Sequence, residues 1–116
     1  MGATQQRGRA AETLAAAYLE VLGWTIQGRN LKVGGIEIDV LARDRSTAVI
    51  VEVKFRGRPD YGGAAAALGR GQQERLRRAA RALGQSGVSE IRIDVVAIET
   101  TCEGACLRHV RSAIES

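Results

Sequence analysis

The stretch Gly35–Leu41, with sequence GIEIDVL, is followed after a polar segment by Val49–Phe55, with sequence VIVEVKF. Both runs are apolar and have the length of a β-strand. The segment Arg43–Thr47 between them is polar, which predicts a hairpin loop. The rest of the chain is organised around this predicted strand pair, because the pair carries charged groups where an apolar strand should not contain them.

Side chains alternate between the two faces of a strand, so Glu37 and Asp39 are predicted to share one face of the first run. The two isoleucines and Val40 are predicted to lie on the opposite face. In the second run, Glu52 and Lys54 share a face opposite the apolar residues. Charges inside an apolar strand cost several kcal/mol unless they are paired or bound to a metal. A metal site is therefore the leading interpretation.

The hairpin register is a condition of this interpretation. Asp39 lies opposite Glu52 if the loop has an even length, either Arg45-Ser46 or Asp44–Thr47. An odd loop without a bulge would place the two carboxylates on opposite faces of the sheet and remove the site.

Two facing carboxylates suit Mg²⁺, or Mn²⁺, which is usually held by one or two carboxylates together with waters and substrate phosphate oxygens. Such a cation activates water, and a nearby ammonium stabilises charge that develops on a phosphate. Lys54 is on the same predicted face as Glu52, and Lys32 is the only other lysine in the chain. The pattern indicates phosphodiester hydrolysis.

The remaining elements are read from hydrophobic periodicity and turn residues. They predict one α/β domain over residues 1–116, a mixed β-sheet flanked by helices in the order αβββαβ. The predicted elements beyond the strand pair are a helix over Thr4–Leu22, a short strand over Trp24–Gln27, a helix over Ala64–Leu83 that is interrupted or started late by Gly69 and Gly71, a strand over Glu90–Ile98 and a last edge strand over Ala105–Val110.

Composition narrows the function classes only slightly. The chain has 116 residues, a net charge of +4 and a hydrophobic content of 45%, which is typical of a globular protein. It has no apolar run long enough for a membrane span and no secretory signal, so a cytoplasmic location without membrane contact is expected. The positive charge weakly favours an anionic partner such as nucleic acid.

Asp39 followed by Glu52-Val53-Lys54 resembles the PD-(D/E)xK nuclease signature, with Ile38 where the signature has proline. Glu12 on the first helix resembles the additional acidic residue of the archaeal Holliday junction resolvases. Over nearly its whole length the chain is similar to the YraN-like family of bacterial proteins, which are predicted endonucleases. The further matching stretches are Arg7-Gly8, Ala11-Glu12, Tyr18-Leu19, Gly23-Trp24, Arg29-Asn30, Glu37-Ile38, Arg56, Tyr61-Gly62, Arg75-Leu76, Ala79-Ala80 and Asp94-Val95-Val96.

The resemblance implies a restriction-endonuclease-like core with Asp39 and Glu52 as metal ligands and Lys54 at the water or scissile phosphate. It implies Glu12 as a further ligand or base. The expected substrate is DNA, including branched or damaged DNA, with roles in repair or recombination. A homodimer is the working hypothesis by analogy with the resolvases. Gln72 departs from the family pattern, in which many members carry lysine nearby.

Basic residues supply candidates for nucleic-acid binding. The arginines of the second helix are read either as a solvated face or as phosphate contacts, with neither preferred. The candidate nucleic-acid-binding residues are Arg56, Arg58, Arg70, Arg77, Arg78 and Gln72.

Two alternatives remain open. The first is a nucleic-acid-binding module of the same fold that is catalytically silent, and the second is an RNA nuclease, since no residue identifies a reader of the 2′-hydroxyl.

A zinc site built from Cys102, Cys106 and His109 is disfavoured because structural zinc takes four ligands. Reduced, incidental cysteines and a packing or hydrogen-bonding histidine are the preferred reading.

Overall fold

The computed structural model describes residues 3–56 and 68–115. They form two helices and five strands in the order αβββαββ. None of these helices is long and apolar enough to cross a membrane. The elements are α1 (Ala3–Val21), β1 (Thr25–Val33), β2 (Ile36–Asp44), β3 (Thr47–Arg56), α2 (Arg70–Gln85), β4 (Ile91–Thr101) and β5 (Gly104–Ile114).

The five strands form one mixed sheet whose spatial order is the order of the chain. Neighbouring strands are antiparallel except β3 and β4, which are parallel. A parallel pair requires a crossover connection, and α2 lies in that connection. The predicted mixed α/β sheet flanked by helices is therefore confirmed, with β5 as its last edge strand.

Each face of the sheet carries its own apolar core. On one face the small residues of α1 allow the helix to pack closely on the middle strands, and on the other face α2 packs through Leu76, Ala79 and Ala80. The buried α1-side residues are Ala11, Ala15, Leu19, Trp24, Val40, Ala42, Val49, Val51, Val96 and Ile98. The buried α2-side residues are Ile38, Ile50, Leu68, Leu76, Ala79, Ala80, Ile93, Val95, Ala97 and Ile114.

The β2–β3 hairpin has the register that the site requires. Asp44 pairs with Thr47 and Val40 pairs with Val51, so the loop is the two-residue Arg45-Ser46. The ladder ends at the Val40–Val51 pair, and the carboxyl groups of the next two residues, Asp39 and Glu52, interact directly. The prediction that an even loop places these two carboxylates together is confirmed.

The strict alternation predicted for β2 is wrong at Asp39. Ile36 and Ile38 pack on the α2 side, whereas Val40 packs on the α1 side. The backbone ladder between β2 and β3 runs only as far as Val40, and beyond it the amide of Val53 donates to Asp39 Oδ2 at 2.8 Å. A side-chain acceptor thus replaces the ladder partner where the strand changes face.

Strand β1 is longer than the predicted Trp24–Gln27. Gly28, Asn30 and Gly34-Gly35 predict a turn-rich connection, and Gly34-Gly35 do form the turn before β2. Gly28 and Asn30 instead lie inside the strand, where Gly28 follows a register shift and Asn30 has a φ of 49°. A β-bulge and a left-handed residue use the same amino acids as a turn, which explains the error.

For α2, the late start at Arg70 agrees with one of the two predicted readings, and residues 64–67 lie outside the described part of the chain.

Candidate functional site

Asp39 and Glu52 form a carboxylate pair on the α2 side of the sheet. Burial and the neighbouring Asp39 carboxylate, with a hydrogen bond between the two groups, raise the pKa of Glu52 to about 8, although the charges of Lys54 and Arg75 oppose the shift. The Glu52 side chain is 14% exposed, so water screens the pair poorly. Without a cation, the pair is therefore a place where a second negative charge is unfavourable.

Lys54 and Gln72 complete the cluster around Glu52. The Lys54 ammonium lies 3.9 Å from Glu52 Oε2 and donates to Gln72 Oε1 at 3.2 Å. Gln72 Nε2 donates in turn to Glu52 Oε2 at 3.4 Å. The amide of Gln72 therefore links the ammonium to the carboxylate and fixes both with respect to α2.

Glu12 does not complete a three-carboxylate group with this pair. It is half-buried on α1, and Glu12 Oε1 accepts a hydrogen bond from Asn30 Nδ2 at 3.1 Å. Within residues 3–56 and 68–115, no group of three or more His, Cys, Asp or Glu side chains is arranged to hold a metal ion. The role of Glu12 as a further ligand or base stays a prediction.

The predicted nucleic-acid contacts have different surroundings. Arg70 opens α2 and is exposed, and Arg78 is exposed on the same helix. Arg77 instead donates to the backbone carbonyl of Glu115 at 2.9 Å and lies 3.8 Å from the Glu74 carboxylate. Arg56 is half-buried at the end of β3, and Arg58 lies outside the described residues.

Arg75 is a site residue that the sequence analysis missed. Its positive charge acts on the Glu52 carboxyl and lowers its pKa against the larger effect of burial. The available signal was its position three residues after Gln72, because residues three apart lie on the same side of a helix.

A second polar cluster lies on the α1 side around Asp94, whose side chain is fully buried. Arg92 donates to it through Nε at 2.8 Å and Nη2 at 3.0 Å, and the amide of Ser112 donates at 3.0 Å. His109 Nε2 lies 2.8 Å from Asp94 Oδ2, and its Nδ1 lies 2.8 Å from the Tyr18 hydroxyl. Burial raises the pKa of Asp94, but the hydrogen bonds and the Arg92 charge outweigh it and leave that pKa lowered.

Asp94 is also an acidic residue in an apolar strand, but it was not predicted from the sequence to be a polar centre. His109 is a hydrogen-bonding histidine, as the preferred reading expected, and it joins β5 to α1 and β4. Cys102 and Cys106 are both free and exposed.

Comparison with known proteins identifies a family and several relatives of this chain. The model of the family described as "Uncharacterised protein family UPF0102" matches residues 11–98. A UPF0102 protein of Halorhodospira halophila is 42% identical over 95 residues, which covers 82% of this chain and 78% of the relative. A UPF0102 protein of Shewanella oneidensis is 43% identical over 96 residues, covering 81% and 89%.

Among solved structures, SfsA of Pyrococcus furiosus in complex with Ca²⁺ matches with a TM-score of 0.41 and 17% identity. The match covers 97% of this chain and 65% of that one. A similarity this small assigns neither a site nor an activity.

Proposed function

The chain belongs to the UPF0102 family, the YraN-like family that the sequence resembles, and we propose that it is a metal-dependent endonuclease. The observation that carries the proposal is the contact of the Asp39 and Glu52 carboxyls, with the Lys54 ammonium beside them. The reaction proposed is hydrolysis of a phosphodiester bond in DNA.

The carboxylate pair fits a divalent cation. Two poorly screened carboxylates in contact favour binding either a proton or a cation, and the raised pKa of Glu52 reflects that preference in the metal-free protein. Asp39 and Glu52 would hold Mg²⁺ or Mn²⁺, which commonly use one or two carboxylates with substrate phosphates. When bound, the cation lowers the pKa of water and neutralises charge on the phosphate.

Lys54 supplies the charge that acts on the phosphate, and Gln72 positions it. The Lys54 ammonium is placed beside the carboxylate pair, where it can stabilise the negative charge that grows on the phosphate oxygens during attack. Gln72 accepts a hydrogen bond from this ammonium and thereby restricts its orientation. Preorganised charge of this kind is more effective than a mobile side chain in water.

The first turn of α2 has features that favour binding of a polyanionic substrate. Arg70 is exposed there, and the amide groups of a helix N-terminus favour phosphate. The net charge of +4 acts in the same direction. DNA with branches or damage is the substrate class that follows from the family resemblance, and the homodimer stays a prediction tied to that resemblance.

Cleavage assays test the proposal. The purified chain is incubated with Mg²⁺ or Mn²⁺ and with single-stranded, duplex, flap and junction DNA, alongside an RNA copy of one substrate. The expected result is cleavage that Asp39→Asn or Glu52→Gln reduces by about a hundredfold or more. Glu37→Gln is the matched control, because Glu37 is an exposed carboxylate on the same strand and should retain activity.

A nucleic-acid-binding module without catalysis is the second candidate. The observation in its favour is the hydrogen bond of Glu12 to Asn30, which engages Glu12 away from a three-carboxylate group in the described residues. This candidate predicts metal binding and salt-sensitive DNA binding with no cleavage of any substrate. Cleavage that disappears in Asp39→Asn would reject it.

A further inference from the structure

A polar cavity of about 430 Å³ lies at the opposite end of the β2–β3 hairpin from Asp39 and Glu52. It is lined by the turn from Asp44 to Thr47 together with Leu22, Trp24 and Arg111. We call it the turn cavity. Trp24 is the only tryptophan of the chain and belongs to the α1-side core.

The carboxylate and both hydroxyl groups of the turn cavity are already engaged by neighbours. Asp44 Oδ2 lies 3.7 Å from Arg92 Nη1. The hydroxyl groups of Ser46 and Thr47 donate to Glu90 Oε2 at 3.0 Å and 3.1 Å. Arg92 therefore offsets the charge of Asp44, and the Glu90 carboxylate that accepts from the two hydroxyl groups does not itself line the cavity.

The positive charges of the two arginines that line the cavity are not neutralised in this way within the described residues. Arg45 and Arg111 are both exposed, and neither lies within 4.0 Å of an Asp or Glu carboxylate among residues 3–56 and 68–115. Two guanidinium groups on one concave surface favour an anion, and their planar donors match the oxygens of a phosphate.

The two arginines have different local surroundings. The Arg111 guanidinium lies over the Trp24 ring, 5.5 Å from its centroid. Arg45 has a φ of 56°, a left-handed conformation in which glycine or asparagine would be less strained. An arginine in this strained position is consistent with a use for its side chain.

We propose that the turn cavity binds a phosphate group through Arg45 and Arg111. The proposal does not depend on the nuclease function, because the cavity shares no residue with the Asp39–Glu52 cluster. The phosphate can come from a free phosphate compound or from the backbone of a nucleic acid, and both sources use the same recognition chemistry.

Fluorescence of Trp24 provides the test, because the indole lies in the cavity wall beneath Arg111. The full chain is titrated at low ionic strength with inorganic phosphate, with a mononucleotide and with a single-stranded 20-mer, and NaCl of equal ionic strength is the reference. Calorimetry of the same titrations supplies a second readout that is independent of the indole. A saturable change beyond the NaCl reference is expected.

Arg45→Gly is the decisive variant, because glycine suits the left-handed φ and the fold should be retained. It should weaken phosphate binding about tenfold or more, as expected when a hydrogen bond to a charged group is lost. Arg111→Ala should weaken it similarly in calorimetry. Arg108→Ala is the matched control, since Arg108 is exposed on the same strand and does not line the cavity.

The probes separate the two sources of phosphate. The 20-mer and the mononucleotide are compared by the concentration of phosphate groups at which binding saturates. If the 20-mer saturates at the lower concentration, the ligand is the nucleic-acid backbone. Saturation by inorganic phosphate or mononucleotide at equal or lower concentration identifies a free phosphate compound. The proposal is overturned if no probe exceeds the NaCl reference, or if Arg108→Ala weakens binding as much as Arg45→Gly.

Discussion

At the scale of single residues, the site contains a carboxyl group, that of Glu52, whose pKa is unusually high. Burial and the adjacent Asp39 carboxylate raise the pKa of Glu52 from its ordinary 4.5 to about 8. Raised pKa values are common at functional sites, because such sites often place groups of like charge close together. The same shift makes the stability of the protein depend on pH.

The pH dependence has a defined sign. Between about pH 4.5 and pH 8, folded Glu52 holds a proton that the unfolded chain has released. Its contribution to the free energy of unfolding is therefore fully present below pH 4.5 and is lost as the pH rises through about 8. Urea unfolding in EDTA should show this decline for the natural chain and a smaller one for Glu52→Gln. An equal pH dependence for the two proteins would contradict the assigned shift.

Residue identity in the sequence was enough to find part of the site. Asp39, Glu52 and Lys54 stood out because charged residues interrupted apolar strands, and the structure places Glu52 beside both of the others. Arg75 was missed because its effect on Glu52 depends on how α2 packs across the sheet. Asp94 carried the same signal as Asp39, but only the fold shows that Arg92 and His109 satisfy it.

At the scale of elements, the turn between β1 and β2 is fitted closely to α2. Gly34 has a φ of 57°, and a Cβ added there would lie 2.5 Å from the Cβ of Ala82 on the helix. Gly35 also has a positive φ, of 79°, but a Cβ there would meet nothing within 4 Å. Comparing substitutions at the two glycines therefore distinguishes the cost of backbone strain from the cost of steric overlap.

Gly34→Ala should destabilise the protein by about 2 kcal/mol or more, from strain and overpacking together. Gly35→Ala should cost only the strain of the left-handed conformation, about 1 kcal/mol. Chemical denaturation of both variants checks the difference. Equal losses would show that α2 does not pack against Gly34 as described.

The polar cluster around Asp94 joins three elements, because its partners lie on β4, β5 and, through His109, on α1. Removal of the carboxylate in Asp94→Ala should cost about 3–5 kcal/mol, since Arg92 and His109 lose a buried partner. Asp44→Ala is the matched control, because its carboxylate is partly exposed and lies 3.7 Å from Arg92. That change should cost less than about 1 kcal/mol. Similar losses in urea unfolding would contradict the structural role of Asp94.

The elements themselves were largely predictable from periodicity, and their irregularities were not. The β2–β3 register followed from the two-residue loop. The change of face at Asp39 and the continuation of β1 through Asn30 depend on hydrogen bonds between strands. Such bonds leave no local pattern in the sequence, so these features could be seen only in the assembled sheet.

At the scale of the whole molecule, the sheet separates two candidate sites. The carboxylate pair lies on the α2 side, whereas the turn cavity lies on the α1 side at the far end of the hairpin. The five residue-to-residue steps of β2 from Asp39 to Asp44 span about 16 Å at the usual rise of a strand. The two sites therefore cannot share one small ligand, and each is testable without the other.

If Asp39 and Glu52 together form a divalent-cation site, as we propose, titration of the metal-free protein with Mn²⁺ will detect it. Electron paramagnetic resonance distinguishes free from bound Mn²⁺, so it measures occupancy without any assumption about substrate. Saturable binding is expected for the natural chain and for Glu37→Gln, with a loss of affinity of about a hundredfold or more in Asp39→Asn and in Glu52→Gln. Absence of binding to the natural chain, or equal binding to all four proteins, would contradict it.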